Sequence, residues 1–259
     1  KRNRPLLVID CFISIYDTVV IDRKVIAEGG LLAKLLRWLE KRSLRDADVV
    51  LADTLVNANY LFELFGGEKT KYQALNLCIN EAIFKPVSSP VRGSKVVLFV
   101  GSFVPLQGVD VVVDAAIRLS DRADIKIQLL GDGQTAPEVE AQLACAEANI
   151  EWLRSWHSIE EVSEKVGNAD ICLGVFGDSG KTYRVLPYKA YMAMASGKAL
   201  ISSRVEDGVV REAQLPFLSL PTNSGQELAS KIIELVDSSD LREKYAQLGR
   251  AYYEQHLSN

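Results

Sequence analysis

Lys95-Val96-Val97-Leu98-Phe99-Val100-Gly101-Ser102-Phe103-Val104-Pro105-Leu106-Gln107-Gly108-Val109-Asp110 passes from an apolar run through a Gly/Pro turn into a helical pattern. The run Lys95–Val100 has no polar alternation, so it reads as a strand buried on both faces. Val109–Leu119 follows as an amphipathic helix. The unit then repeats. Further strands are expected at Ile125–Leu130, Ile150–Leu153, Asp170–Phe176, Ala199–Ser203 and Phe217–Leu220. Helices fit at Pro137–Ala148, Ile159–Val166, Tyr188–Ala195 and around Asp207–Ala213, then at Gln226–Val236 and Leu241–His256. Apolar strands separated by helices specify a parallel sheet covered on both faces. Six of them suffice for a complete doubly wound domain, which takes ligands at the carboxyl ends of its strands.

Upstream the same alternation is shorter. Pro5–Asp10, Ala47–Ala52 and Lys71–Leu77 read as strands. Lys24–Arg45 reads as a helix, with Leu31, Leu32, Leu35, Leu36 and Leu39 at helical spacing, and Leu55–Phe65 as another, stopped by Gly66-Gly67. Three strands make half of such a sheet, with edges and faces in need of cover. Ile79–Ser94 carries Pro86, Pro90 and Gly93 and reads as a linker. The expected organisation is a partial domain over 1–86, a linker over 87–94, a complete domain over 95–240, and a C-terminal helix over 241–259 returning to the N-terminal part. The chain lacks an initiator Met and opens almost on a strand, so a missing upstream region is expected.

Composition narrows the classes. With 48% hydrophobic and 25% charged residues the chain is an ordinary globular one, and a net charge of -4 argues against general nucleic-acid affinity. No apolar run approaches the ~20 residues of a membrane span. The opening Lys1–Asp10, basic and then apolar, imitates a signal peptide, but Asp10 ends the apolar stretch after only four residues. Cys11, Cys78, Cys145 and Cys172 are scattered, which fits a reducing, cytoplasmic compartment. His157 and His256 have no ligand-spaced partners, so no metal site is expected.

Three strand-to-helix loops carry the chemistry. In the first, Gly101 and Gly108 either make tight turns only or present backbone N–H groups to a phosphate at a helix N-terminus. The second, Leu130-Gly131-Asp132-Gly133, repeats the form on another strand. The third, Phe176–Ala199, carries Lys181, Arg184 and Lys189 around the start of a helix near Pro187. Cations there oppose the helix dipole, so either an anion arrives or they are solvated surface charges. Lys181-Thr182 is not a Walker A site, because Phe176 stands where its first Gly belongs.

In order and spacing these loops, Asn149–His157 and the segment Pro187-Tyr188-Lys189-Ala190-Tyr191-Met192-Ala193-Met194-Ala195-Ser196-Gly197 resemble the C-terminal domain of family 4 glycosyltransferases. The resemblance covers about residues 95–256. It continues more weakly through Ala47–Asp53 and Asn80–Pro86. It implies an α/β fold of GT-B type, with one complete doubly wound Rossmann-like domain and one partial Rossmann-like domain. The function implied is retaining transfer of a sugar from a nucleoside-diphosphate sugar, with no cofactor or metal required. Gly101, Ser102, Phe103, Gly131, Trp156, Lys181, Arg184, Lys189 and Met192 then become the donor-binding residues. Trp156 either encloses the base or packs at a domain edge. The acceptor, whether a glycan, a lipid-linked sugar or a small molecule, is unspecified, and peripheral membrane contact stays open.

The chain departs from the family in three places. Met192 stands where the family has a ribose-binding Glu, and a thioether cannot accept from two hydroxyls. Arg184 occupies the place of the first Glu of the family's pair. Ser102 and Gln107 stand where many members have Arg and Lys. Each lost charge-assisted contact removes ~1.5–3 kcal/mol. A non-catalytic nucleotide-binding scaffold is therefore an alternative, with a sugar-nucleotide epimerase behind it. No catalytic base is assigned.

Overall fold

The computed structural model describes residues 4–155 and 157–258. By compactness the chain forms two units: Lys1–Asn76 with Ser179–Leu186 and Val205–Val210, and Leu77–Asp178 with Pro187–Arg204 and Arg211–Asn259.

In the first unit, β1 (Val8–Asp10), β2 (Val49–Ala52) and β3 (Tyr72–Ala74) form a parallel sheet in that order. A π-helical turn, Asp17–Asp22, and helix α1 (Leu31–Asp46) lie between β1 and β2, and α2 (Leu55–Phe65) between β2 and β3. Thr54 caps α2 by accepting from the Asn57 amide, and Gly66 ends it at a φ of 73°. Helix α1 starts at Leu31, not Lys24, after Gly29-Gly30. Its buried residues are Ala33 and Leu44. Of the leucine stripe, Leu36 packs on the core, whereas the rest faces outward: Leu31 is 86% exposed and Leu35 49%, with Trp38 beside them at 57%. Periodicity identified the helix but not which side of it has a neighbour.

The second unit holds β4 (Lys95–Val100), α3 (Val109–Arg118), β5 (Ile125–Leu130), α4 (Ala136–Ala144), β6 (Ile150–Leu153), α5 (Ile159–Asn168) and β7 (Ile171–Leu173). Helix α6 (Gly180–Arg184) folds with the first unit. The second resumes with α7 (Tyr188–Ala195), β8 (Ala199–Ser203), β9 (Leu218–Leu220), α8 (Gly225–Asp237) and α9 (Ser239–His256). Among the described residues its sheet has six parallel strands in the order β6-β5-β4-β7-β8-β9. That is the doubly wound order, reversing direction between β4 and β7. Val97, Phe99, Ile127, Leu129, Ile171 and Ile201 fill the core against Val112, Val113 and Leu228. Ser158 and Glu161 form a capping box on α5, and Ser224 caps α8.

The helix expected near Asp207–Ala213 does not form; Asp207 and Val210 make an isolated bridge within a run of turns. The stretch after Asp178 yields a short helix the sequence reading missed. Residues 87–94 are pinned within the second unit: Ser89 Oγ donates to Ala169 O, and Arg92 to Asn168 O. Helix α9 packs on α7 and β8, and Tyr253 OH and Ser258 Oγ both donate to Glu81.

Candidate functional site

The strand order reverses between β4 and β7, where doubly wound sheets take ligands at the carboxyl ends, and the first loop follows β4 there. The Phe176 amide donates to Gln107 O and the Gly177 amide to Leu106 O, stitching the loops after β7 and β4 together. Gly101 continues β4 and donates to Leu130 O. Gly131 holds a φ of +142°, and a Cβ there would stand 2.0 Å from Gly101 O, so the two loops meet through a contact only glycine permits. Ser102 is exposed at the tip.

Phe103 is fully buried, stacked on Trp152 at 5.3 Å and set edge-on to Phe99. It gives the loop its backbone, accepting from the Thr135 amide, and gives the core its ring. The Trp152 indole donates to Gly131 O at 2.8 Å, and Arg154 lies over that indole while pairing with Asp132 and Glu140. Sequence reading passed over Trp152, whose only sign was an aromatic one step inside the strand end. Trp156 lies outside the described residues.

From α7 comes Lys189, its Nζ donating to Gln107 Oε1 and lying 3.6 Å from the Phe99 ring centroid. A Cβ built on Gly101 would be 2.9 Å from that nitrogen. Burial pushes the ammonium well below the ordinary lysine range. Met192 is buried a turn later and shares a small void with Lys189. Gly101, Gln107, Gly131 and Lys189 thus come together beyond the carboxyl ends of β4 and β5.

Lys181 and Arg184 belong to the first unit. Both are buried, and both reach Asp17, at 3.4 Å and 3.1 Å. Lys181 also donates to Thr18 Oγ1, and Arg184 lies over the Tyr60 ring while its carbonyl accepts from Thr54 Oγ1. Asp22 and Asp53 are buried nearby, each carboxyl raised by desolvation. Among the described residues no cluster of three or more His, Cys, Asp or Glu is placed to hold a metal ion, and no helix is long and apolar enough to cross a membrane. A cavity of about 660 Å³ lined by Lys95, Asp170, Lys198 and Arg242 lies at the amino ends of β4 and β8, at the other end of the strands from these loops.

A family profile described as glycosyl transferases group 1 matches residues 94–238, more than half of the chain. The chain belongs to the group 1 glycosyl transferases. An uncharacterised glycosyltransferase of Methanocaldococcus jannaschii is 22% identical over 244 residues, covering 86% of this chain and 66% of that protein. A D-inositol 3-phosphate glycosyltransferase of Thermobispora bispora is 28% identical over 137 residues, 46% of this chain and 32% of its own. The chain therefore spans two thirds or less of the curated relatives it matches. Among solved structures, Anabaena HepE in complex with UDP and glucose superposes with a TM-score of 0.77 at 14% identity, covering 98% of this chain and 68% of HepE. The fold of this group 1 glycosyl transferase is α/β of GT-B type.

Proposed function

We propose that the second unit binds a nucleoside-diphosphate sugar at the carboxyl ends of β4 and β7, and that the whole protein transfers the sugar with retention as a family 4 glycosyltransferase. The observation that carries the reading is the meeting of the Gly101 loop, Gly131 and the Lys189 amine at the reversal point of a doubly wound sheet. HepE, of like fold, was solved with UDP, which supports a uridine donor. The second unit then forms the donor side and the first unit part of the acceptor side. The outward apolar face of α1 supports a further layer in the complete transferase.

In this reading the diphosphate leaves and the acceptor hydroxyl attacks from the same face of the sugar. Positioning, and stabilisation of the departing diphosphate by backbone amides and Lys189, supply most of the catalysis. No metal is required. Calorimetric titration with UDP, GDP, ADP and their common sugar conjugates tests the donor site. One preferred nucleotide, weakened at least tenfold in Lys189→Ala (about 1.4 kcal/mol), is the expected result. A folded protein that binds none of them fails the reading.

The second reading is a nucleotide-binding scaffold without turnover. Met192 favours it, because the buried thioether leaves the ribose without the family's carboxylate. Nucleotide binding without transfer or hydrolysis in the complete protein would select it.

A further inference from the structure

Lys189 is a buried lysine with no negative charge beside it. Its side chain is faced by Phe99 from β4, Gln107 from the first loop, Cys172 and Leu173 from β7, Val166 from α5 and Met192 from its own helix. Among the described residues, Cys172 is the titratable side chain in that set, and burial pushes its thiol up to about 12, so it is uncharged at neutral pH. Gln107 Oε1 is the oxygen that accepts from the amine, and a neutral amine also donates to it, though more weakly than an ammonium would. Lys198, the other buried lysine of this unit, is held differently: Val87 O, Ser89 Oγ and Gly167 O accept from it at 2.6–2.8 Å. Three acceptors replace the water around an ammonium; one amide oxygen and an aromatic face replace much less of it.

The Lys189 nitrogen nevertheless lies against Gly101, in the loop that follows β4 at the reversal point of the sheet. A diphosphate arriving there supplies the missing counter-charge. We propose that a nucleotide sugar binds at the Gly101 loop together with a proton, which Lys189 Nζ takes from the solvent. The inference rests on the donor site proposed above. The balance is one amine and one solvent proton giving one ammonium, with no covalent bond to the ligand changed. Burial depresses proton affinity in the free protein, and the anion restores it in the complex. Between the two pKa values the complex binds more protons than the free protein, so affinity falls as pH rises, by at most tenfold per pH unit. Gln107→Glu would remove the coupling, because a carboxylate beside the amine keeps it charged before the ligand arrives.

The test is calorimetric titration with UDP-glucose, or whichever nucleotide sugar the panel selects, in two buffers of different ionisation enthalpy, repeated from about pH 6 to about pH 9. The diphosphate diester does not titrate over that range and the ring N–H of a uracil or guanine base only towards its upper end, so proton uptake below about pH 8 belongs to the protein. Wild type is expected to show heats that differ between the buffers, corresponding to uptake approaching one proton, and an affinity that declines with pH. Lys189→Gln should bind at least tenfold more weakly with no uptake, and Gln107→Glu should show a flat pH dependence with no uptake. Equal heats in both buffers and a flat affinity for a wild type that does bind would overturn the inference and leave the donor site standing. Absence of binding to every nucleotide sugar overturns the donor site, and the inference with it.

Discussion

Arg184 and Asp17 stand 167 positions apart in the sequence, yet the guanidinium donates to the carboxylate at 3.1 Å with both side chains less than 10% exposed. Lys181 reaches the same carboxylate at 3.4 Å, and Tyr60 OH donates to it at 2.8 Å. One buried carboxylate therefore holds two cations and a phenol. A segment that the chain order places between β7 and β8 is fixed by it to the β1–β3 unit.

Asp17→Ala should cost about 3–5 kcal/mol, because it strands two buried cations rather than removing one contact. Tyr60→Phe deletes a single hydrogen bond and should cost about 1 kcal/mol. Urea unfolding of the two variants measures the difference. Equal small losses would show the cations to be well solvated without Asp17.

Asp22 answers to pH in the opposite sense from a paired carboxylate. Burial raises its pKa above 3.8 in spite of the Ser179 hydroxyl and Lys181, and its Oδ1 has no partner. Its ionisation is thus a cost in the folded state, absent below the unfolded value and fully present above the raised one. Asp22→Asn should be at least as stable as wild type at pH 7, and that advantage should disappear as the pH falls through the raised pKa. Thermal melts of both proteins across acid pH give the difference curve. An advantage that grows toward low pH would contradict it.

Met192→Glu places a carboxylate at the position proposed to face the ribose, three residues after Lys189 on the same face of α7. If the site is a donor site, nucleotide affinity should rise by about tenfold to a hundredfold, equivalent to ~1.5–3 kcal/mol for a charge-assisted hydrogen bond. Calorimetry with UDP reads it. An unchanged affinity in a folded variant places the ribose elsewhere.

The cysteines should separate by reactivity. Cys78 and Cys145 are exposed, whereas Cys11 and Cys172 are buried, with thiols raised to about 12 by desolvation. Titration with a chromogenic disulfide should label two thiols quickly in the native protein and the other two only in denaturant. Fast labelling of three would mean that one of the two sheets opens readily, and of all four that both do.

The sheet strands were legible because each is a short apolar run, and burial on both faces of a parallel sheet demands that pattern wherever it occurs. Val96–Phe99 and Ile171–Leu173 illustrate it. Glycines at strand ends marked the loops for an equally local reason, as the backbone at Gly131 admits no side chain. Leu31, Leu32, Leu35, Leu36 and Leu39 were read correctly as a helical stripe, but spacing says nothing about the neighbouring layer: Leu36 packs inward and the other four are exposed. Helix α6 went unread because Gly180–Arg184 is too short to show a period.

The sequence by itself determined the α/β class, the six strands of the second unit, the glycine loops and Lys189 as a cation near them. These rest on short-range rules: which residues can be buried in a strand, and which can turn. Only the tertiary structure decided that Lys189 is buried against Gln107 and Phe99, and that Lys181 and Arg184 are paired with Asp17. Three cations within nine positions look equivalent along the chain. Whether a charge meets a carboxylate, an aromatic face or nothing depends on partners more than eighty residues distant, and no local pattern encodes that.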